Sequence, residues 1–395
     1  PSLTRAIRKT PLCQYSKSAE VSGDERMKKI AIIGGGIVGL TLANYLDTTQ
    51  FAITLYDDEI GQATRASAGI ISPWVSKRRN KKWYQLAKDG AAFFPKLVSD
   101  FQLDESIYTR CGTLILRQET QLEALYDFAQ TRKEEAPEMG DITLLSKEET
   151  SLALPLLKET PALKISGGGR LDGKAYLARL QQLAIDKGLS IVKERATLTK
   201  KGSDWIVTTA THSDTFDLAI ITAGPSLKPI LGPLGYHVDI RPQKGQLLEF
   251  QTPFLESEQW PVVMLDGEAD LIPFQQGKIL IGATHENEAL WDLTPTKEAF
   301  EQLWHHSQSF LKKTEEFLTS PYQYRIGTRA YTSDFAPFFG SPSEDDTLFV
   351  ASGLGSSGLT VGPFIGYLLA QRLNTNAWSV EDYQKPISNY LKKVE

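Results

Sequence analysis

The chain has 395 residues, and at about 150 residues per domain this length predicts two or three domains. With 41% apolar and 23% charged residues, the composition excludes a disordered or fibrous chain. The net charge of −5 argues against general nucleic-acid binding. The two cysteines cannot form a disulfide framework, and no apolar run of about 18 residues predicts a transmembrane helix.

Residues 1–26 differ from the rest of the chain. They have no strand or helix periodicity and no apolar segment of the kind that a secretory signal needs. We expect a leader added for expression or a disordered arm. An organelle-targeting segment is the alternative, although its acidic residues Glu20, Asp24 and Glu25 argue against it. The patterned sequence begins at Met27.

The next 30 or so residues predict a dinucleotide site. An apolar run, Lys28–Ile33, is typical of a buried parallel strand and leads into Gly34-Gly35-Gly36-Ile37-Val38-Gly39, a G-x-G-x-x-G turn. A helical segment and a second strand, Phe51–Tyr56, follow, and Asp57 ends that strand. Gly34 permits the tight turn, Gly36 lets the backbone approach a diphosphate, and Gly39 lets the helix pack closely on the strand. The helix amino end favours the diphosphate, and Asp57 can accept a hydrogen bond from a ribose hydroxyl. This pattern alone does not separate FAD from NAD.

Later segments carry a family resemblance. The small, polar stretch 61–70 (GQATRASAGI) is neither strand-like nor helix-like, and it resembles the second flavin-contacting stretch of the D-amino acid oxidase, glycine oxidase and sarcosine oxidase family of FAD enzymes. Further matches follow in the family's order and cover nearly all of residues 27–380. They are GRLD at 169–172 with Gly173 in place of the usual proline, FDLAIITAG at 216–224, RPQKGQ at 241–246, GATHE at 282–286, GTR at 327–329 with Asp334, Pro337 and Gly340, and SGLGSSGL at 352–359.

The resemblance implies an α/β fold with two interleaved domains. One is a Rossmann-like FAD-binding domain of discontinuous segments, 27–105, 165–240 and 325–385. The other is an α+β substrate domain with an antiparallel sheet, 106–164 and 241–324. The residue pattern agrees with this layout. The run 216–222 is typical of a buried parallel strand, 244–283 of short strands with a turn at 275–278, and 118–160 of charged helices.

Non-covalent FAD is the cofactor that the resemblance implies, because stretch 61–70 has no histidine and stretch 327–340 has no cysteine. The apolar helix after Gly358 begins at a glycine-rich loop, and its positive amino end would stabilise a reduced flavin. No metal site is expected: His305 and His306 are neighbours in a predicted helix and are interpreted as exposed. The residues assigned to FAD are Gly34, Gly36, Ile37, Val38, Gly39, Asp57, Asp58, Thr64, Ala66, Ser67, Ala68, Gly69, Ile70, Leu198, Ala223, Gly224, Gly353, Gly355, Ser356, Ser357, Gly358, Leu359 and Thr360.

Three residues are candidates for the substrate site. Arg329 matches the carboxylate-binding arginine of the family's G-x-R motif, and a structural pair with Asp334 is the alternative. His285 follows a predicted strand end that often lines the family's active site, and it could shape the pocket, accept a proton or lie at its edge. Asp270 falls near a substrate-contacting tyrosine of glycine oxidases and could meet a substrate ammonium. Ser356 stands where some relatives have a second arginine.

The resemblance implies FAD-dependent oxidation of the C–N bond of an amino acid or secondary amine. The substrate would present its Cα–H near flavin N5, and water would hydrolyse the resulting imine. The electron acceptor is O₂ or a quinone. A 2-hydroxy-acid dehydrogenase on the same fold, a flavin-binding protein without turnover and a nicotinamide dehydrogenase are the alternatives. We expect a cytoplasmic protein, with peripheral membrane association and a homo-oligomer left open.

Overall fold

The computed structural model describes residues 26–267 and 269–394, so the expectation for residues 1–26 lies, apart from Arg26, outside the described residues. The strands are, in chain order, β1 (Lys28–Ile33), β2 (Phe51–Tyr56), β3 (Ile70–Ile71), β4 (Tyr108–Thr109), β5 (Thr113–Leu116), β6 (Ile142–Leu145), β7 (Ala162–Ile165), β8 (Gly169–Leu171), β9 (Ser190–Val192), β10 (Thr197–Lys201) and β11 (Asp204–Thr208). They continue with β12 (Ser213–Phe216), β13 (Leu218–Ile221), β14 (Tyr236–Val238), β15 (Arg241–Gln251), β16 (Val262–Met264), β17 (Asp270–Pro273), β18 (Lys278–Gly282), β19 (Tyr322–Tyr331), β20 (Phe338–Gly340), β21 (Leu348–Ser352) and β22 (Leu391–Lys393). The α-helices are α1 (Ile37–Tyr45), α2 (Ala63–Ala66), α3 (Lys81–Ala92), α4 (Phe94–Phe101), α5 (Glu119–Lys133), α6 (Lys147–Ala153), α7 (Gly173–Asp186), α8 (Leu227–Leu231), α9 (Lys297–Gln308), α10 (Thr314–Leu318) and α11 (Gly358–Thr375).

A mostly parallel sheet forms one layer, in the order β20-β21-β13-β1-β2-β9. Its central strands are apolar on both faces, since β1 and β13 bury their isoleucines completely. Strand β1 lies between β13 and β2, with Ile30 opposite both Leu218 and Ile53. The predicted parallel strand of residues 216–222 is β13, although Phe216 ends the preceding antiparallel strand, β12. The sheet therefore joins segments that are far apart in the sequence.

A second sheet has the order β19-β15-β18-β17-β16-β5-β7-β6. Its pairs are antiparallel, as expected, except that β16 runs parallel to β5. The turn at 275–278 joins β17 and β18, and its Gln276 and Gly277 have φ of 54° and 79°. Helix α9 covers this sheet through Trp304, which packs on Phe250 and Phe317. The α/β fold class with its additional antiparallel sheet is thus confirmed.

Three details differ from the sequence expectations. Stretch 61–70 contains the single helical turn α2 and the start of β3, because its small residues fit beneath β19. Segment 118–160 contains strand β6 as well as helices, and β6 is half-exposed between charged residues, which hides its pattern. The boundary drawn between residues 324 and 325 falls inside β19, which pairs along its whole length with β15.

The helices of the parallel layer pack at close range. A Cβ placed on Gly362 of α11 would overlap the Ile37 side chain of α1, and one on Gly366 would lie 2.9 Å from the Val38 carbonyl oxygen. This contact fixes the amino ends of α1 and α11 with respect to β1. Within the described residues, no helix has both the length and the apolar character needed to cross a membrane.

Candidate active site

The turn between β1 and α1 is built by its glycines. Gly34 has φ of +110°, which only glycine adopts readily, and the Thr222 hydroxyl donates to its carbonyl oxygen at 2.7 Å. A Cβ on Gly39 would overlap that same Gly34 carbonyl, so Gly39 sets the helix-to-strand distance and does not itself line a cavity. A Cβ on Gly36 would meet only the Thr64 hydroxyl, at 3.4 Å, and would otherwise enter open space in front of α1.

Two acidic residues follow β2. The Asp57 carboxylate accepts hydrogen bonds from the amides of Gly35 and Glu59, which fixes it at the edge of the glycine turn. Asp58 accepts from the Arg195 guanidinium at 2.8 Å. This arrangement places carboxylate oxygens beside the turn, where a ribose hydroxyl of a dinucleotide can donate to them.

Stretch 61–70 and the loop before α11 complete the walls. The Thr328 amide donates to the Gly61 carbonyl at 3.0 Å, so β19 runs directly over this stretch. On the other side, Ser352 donates to the Gly224 carbonyl at 2.8 Å and joins the loop to the end of β13. The first turn of α11 contains no acidic residue, and its amino end opens towards the space between these walls.

These walls enclose a cavity of about 930 Å³, near the upper end of the range of ~300–1,000 Å³ for cofactor and ligand sites. Every residue assigned to FAD from the sequence lines it except Gly39, and so do Arg329, His285 and Asp270. Glycine amides and two helix amino ends suit a diphosphate, and the acid after β2 suits a ribose. The cavity therefore fits a dinucleotide such as FAD.

Arg329 lies on β19 and its guanidinium faces the cavity. Its Nη1 donates to the Gln243 side-chain oxygen at 3.1 Å and to the Thr284 carbonyl at 3.0 Å. Both acceptors are neutral, and no carboxylate of the described residues forms an ion pair with it. Burial lowers the pKa of Arg329. The alternative pairing with Asp334 is wrong, because Asp334 bonds instead to Lys385 and Tyr390.

Asp270 is the first residue of β17, in register with Met264 on one side and Gly282 on the other. Burial raises the pKa of its carboxyl group to about 7, and the Leu265 amide and the Arg117 charge oppose this shift only in part. The side chain therefore changes charge near neutral pH inside the cavity wall.

His285 and Ser356 lie at more exposed positions of the same cavity. Trp74, in contrast, is buried away from it and donates to Glu138 at 3.1 Å. The expectation that His306 is exposed is wrong, since its ring is half-buried and packs 5.6 Å from that of Phe310. His306 therefore belongs to the packing around α9 and does not line the cavity.

Arg78 is a cavity residue that the sequence reasoning missed. Its Nη2 donates to the Ser356 hydroxyl at 3.4 Å, and its guanidinium lies 4.5 Å from the Trp83 ring centre. In the sequence it stands in a run of basic residues, Lys77-Arg78-Arg79, which reads as a solvated surface segment. The local signal was Asn80, which caps the amino end of α3 and so ends the basic run at the start of a helix.

A second missed group belongs to the loop between β18 and α9, where Trp291 and Leu293 line the cavity. Lys244 of β15 holds this loop. It is 1% exposed, and its ammonium donates to Asp292 at 2.9 Å and to the Thr294 carbonyl at 2.6 Å. Lys244 therefore anchors a cavity-lining loop.

Comparisons with known proteins show which family and which structures the chain is similar to. The profile of the family described as FAD dependent oxidoreductase (DAO) matches residues 29–372. The uncharacterized oxidoreductase YurR of Bacillus subtilis (strain 168) is 36% identical over 87% of this chain and 94% of its own length. A glycine oxidase of Pseudomonas aeruginosa is 27% identical over 88% of this chain and 95% of its own length. Among solved structures, iminodiacetate oxidase (IdaA) of Chelativorans sp. BNC1 has a TM-score of 0.83 and 27% identity, covering 91% of this chain and 98% of its own.

Proposed function

Because the chain belongs to the DAO family of FAD-dependent oxidoreductases, we propose that this enzyme oxidises the C–N bond of an amino acid or secondary amine. FAD is its cofactor. We assign the diphosphate to the turn Gly34–Gly36 and the amino end of α1, and the ribose to Asp57. Cys111, whose thiol pKa is raised by burial, lies outside the cavity wall, which supports non-covalent binding.

The observation that carries the proposal is the Arg329 guanidinium. A buried cation hydrogen-bonded only to neutral oxygens is costly unless an anion joins it. The carboxylate of an amino acid is such an anion, and it matches the guanidinium through paired N–H donors. The Gln243 and Thr284 oxygens occupy Nη1 and leave Nη2 and Nε for the substrate. Arg329 would thereby orient the substrate in the cavity.

Asp270 supplies a group that can handle the substrate's proton. Amines reach the enzyme mainly as ammonium ions, and C–N oxidation needs the neutral amine. A carboxylate that titrates at about 7 can attract the ammonium and accept its proton at neutral pH. His285, at the cavity rim, is assigned to shaping the substrate's path.

The reaction then balances as follows. When bound, FAD would accept the Cα hydrogen together with its two electrons. Asp270 first takes one proton from the ammonium, the Cα–H then leaves as hydride, and the C–N single bond becomes an iminium. Water adds to the iminium and releases a 2-oxo acid or aldehyde together with an ammonium ion or a protonated amine. The chain's own residues bind the carboxylate, take the proton and exclude bulk water.

Anaerobic bleaching of the flavin near ~450 nm tests this proposal. The purified enzyme is mixed with D-, L- and N-methyl amino acids and with the matching 2-hydroxy acids. Bleaching by amines supports C–N oxidation, whereas bleaching by hydroxy acids alone, or by no compound, contradicts it. The bleached enzyme is then mixed with O₂ or with a soluble quinone, and the one that restores the yellow colour identifies the electron acceptor.

A further inference from the structure

Arg78 is an unpaired cation that the proposed reaction does not use. Its guanidinium is half-buried, its contacts are a serine hydroxyl and an indole ring, and no carboxylate of the described residues forms an ion pair with it. Burial lowers the pKa of Arg78. Stacking on Trp83 does not require this charge, so the guanidinium is available to an anion that enters the cavity.

Arg78 and Arg329 face one enclosed space. Both line the same cavity, although one precedes α3 and the other lies on β19. The Tyr331 ring lies against Gly355, next to the Ser356 that Arg78 contacts, and Tyr331 is two residues from Arg329 on β19. Arg78 also contacts Ser356. A guanidinium therefore lies beside the loop 352–359, although that loop has no arginine in its own sequence.

We propose that Arg78 binds a second carboxylate of the substrate, so that the enzyme selects amines carrying two carboxylates over amines carrying one. This inference rests on the proposed C–N oxidation and assigns its substrate class: an iminodicarboxylic acid or an amino dicarboxylic acid. Arg329 holds one carboxylate and Arg78 the other, each through charged N–H donors. Asp270 lines the same cavity and is the group that the proposed function assigns to the amine.

The charges of the residues that line the cavity favour this substrate class. Of the three arginines that line the cavity, Arg195 is paired with Asp58, whereas Arg78 and Arg329 form no ion pair with a carboxylate of the described residues. Asp270 is only partly ionised at neutral pH, so positive charge is in surplus around these two arginines. A dicarboxylate with an ammonium has a net charge of −1 and offsets this surplus, whereas a monocarboxylate zwitterion has none to offer. An aliphatic side chain at the same position would leave the Arg78 charge uncompensated.

Binding of two unreactive analogues tests the inference without turnover. Thiodiacetate and (methylthio)acetate have sulfur in place of the amine and differ by one carboxylate. Their Kd values are measured with the FAD-loaded enzyme by changes in flavin absorbance. We expect thiodiacetate to bind roughly ten- to a hundredfold more tightly, the range for one charged hydrogen-bonded pair.

Three variants locate the effect. Arg78→Met should abolish the preference for thiodiacetate and leave (methylthio)acetate binding unchanged, and Arg78→Lys should restore part of it. Arg79→Met, which alters the exposed neighbour, should keep the full preference. Equal binding of the two analogues by the unaltered enzyme overturns the inference. The inference is also overturned if the preference for thiodiacetate survives in Arg78→Met, even where that variant changes the flavin spectrum.

Flavin reduction separates this inference from the proposed function. Iminodiacetate and N-methylglycine differ by the same carboxylate and can both be oxidised at a C–N bond. Reduction by both at equal efficiency supports the proposed function and overturns the inference. If neither they nor any other amine reduces the flavin while thiodiacetate binds with the expected preference, the proposed function fails and the two-carboxylate pocket stands. Selective reduction by iminodiacetate supports both.

Discussion

Arg329 and Asp270 are enclosed without the ion pairs that buried charges usually have. Arg329 donates to neutral oxygens and feels the Glu286 charge without forming an ion pair with it, and among the described residues Arg117 is the charge that acts on the pKa of Asp270. Such an arrangement costs folding free energy and is retained where a ligand supplies the missing charge. Substitution of Arg329 and of Asp270, one at a time, measures the contribution of each charge.

Arg329→Met should lower kcat/KM for carboxylate-bearing amines by about ten- to a hundredfold, because one charged hydrogen-bonded pair contributes ~1.5–3 kcal/mol. The matched control is Asp334→Asn, which alters the residue that Arg329 does not contact. Steady-state kinetics of the two variants check this. Unchanged kinetics in Arg329→Met, or an equal loss in Asp334→Asn, would contradict the assigned role.

Asp270→Asn should stabilise the enzyme increasingly as pH rises. The folded-state pKa of about 7 lies above the ordinary value of about 3.9, so the stability present below about pH 4 is lost as pH rises through 7. Three pKa units correspond to ~4 kcal/mol as an upper bound, and we expect about 1–3 kcal/mol because the carboxyl group borders an open cavity. Asp346→Asn, at an exposed position in the loop before β21, is the control. Urea unfolding at pH 5 and pH 8 measures the difference, and a difference independent of pH would refute it.

At the scale of single residues, sequence reasoning finds the residues that belong to a motif with fixed spacing. Gly34, Gly36 and Asp57 belong to such a pattern because the backbone turn fixes their separation. Arg78 belongs to no spacing pattern, because its position depends on a long-range contact with Ser356 that only the folded chain creates. Its role therefore could not be predicted from the sequence.

At the scale of elements, the glycine turn and α1 act as one unit with two different glycine requirements. Gly39 is needed for packing, since its Cβ would overlap the Gly34 carbonyl. Gly36 is needed for space, since its Cβ would project into the cavity. The first requirement belongs to the fold and the second to the cofactor, so the two can be separated by experiment.

Gly39→Ala should destabilise the protein itself, lowering its melting temperature with or without FAD, because α1 must move off β1. Gly36→Ala should leave the melting temperature of the FAD-free protein nearly unchanged and weaken FAD binding at least about tenfold, through a lost backbone approach to the diphosphate. Thermal unfolding and fluorescence titration with FAD distinguish the two. Equal effects on stability would contradict the separation.

Sequence patterns predicted the strands that are largely buried and failed for a strand that is largely exposed. Strands β1, β2 and β13 are apolar runs and were found with near-correct limits. Strand β6 has one buried residue, Ile142, and lies among charged residues, so periodicity could not separate it from the adjoining helices. Likewise, the limits of β19 depend on pairing with β15 and not on its own composition.

For the whole molecule, the cavity lies where the two large sheets meet. Its walls come from the ends of β1 and β13 in one layer and from β15, β18 and β19 in the other. A cofactor bound there contacts both layers, so its binding free energy adds to the stability of the whole fold.

Removal of FAD should therefore lower the melting temperature in a single cooperative step. At a free FAD concentration of about 100 times Kd the loss is ~2.7 kcal/mol, and it should disappear when FAD is added back. Hydrogen exchange should become faster in β1 and in β19 together. Faster exchange in β1 alone would show that the second layer does not depend on the cofactor.

The pairing of β1 with β13 also bears on how the chain is made. Ile30 and its partner Leu218 are 188 positions apart, so on a ribosome adding ~5–20 residues per second the free edge of β1 waits roughly 10–40 s for its partner. During this interval an apolar parallel strand is exposed to other chains, which is the condition that favours aggregation. Slower growth of the culture or co-production of a chaperone should therefore raise the soluble yield more than any change made at the cavity.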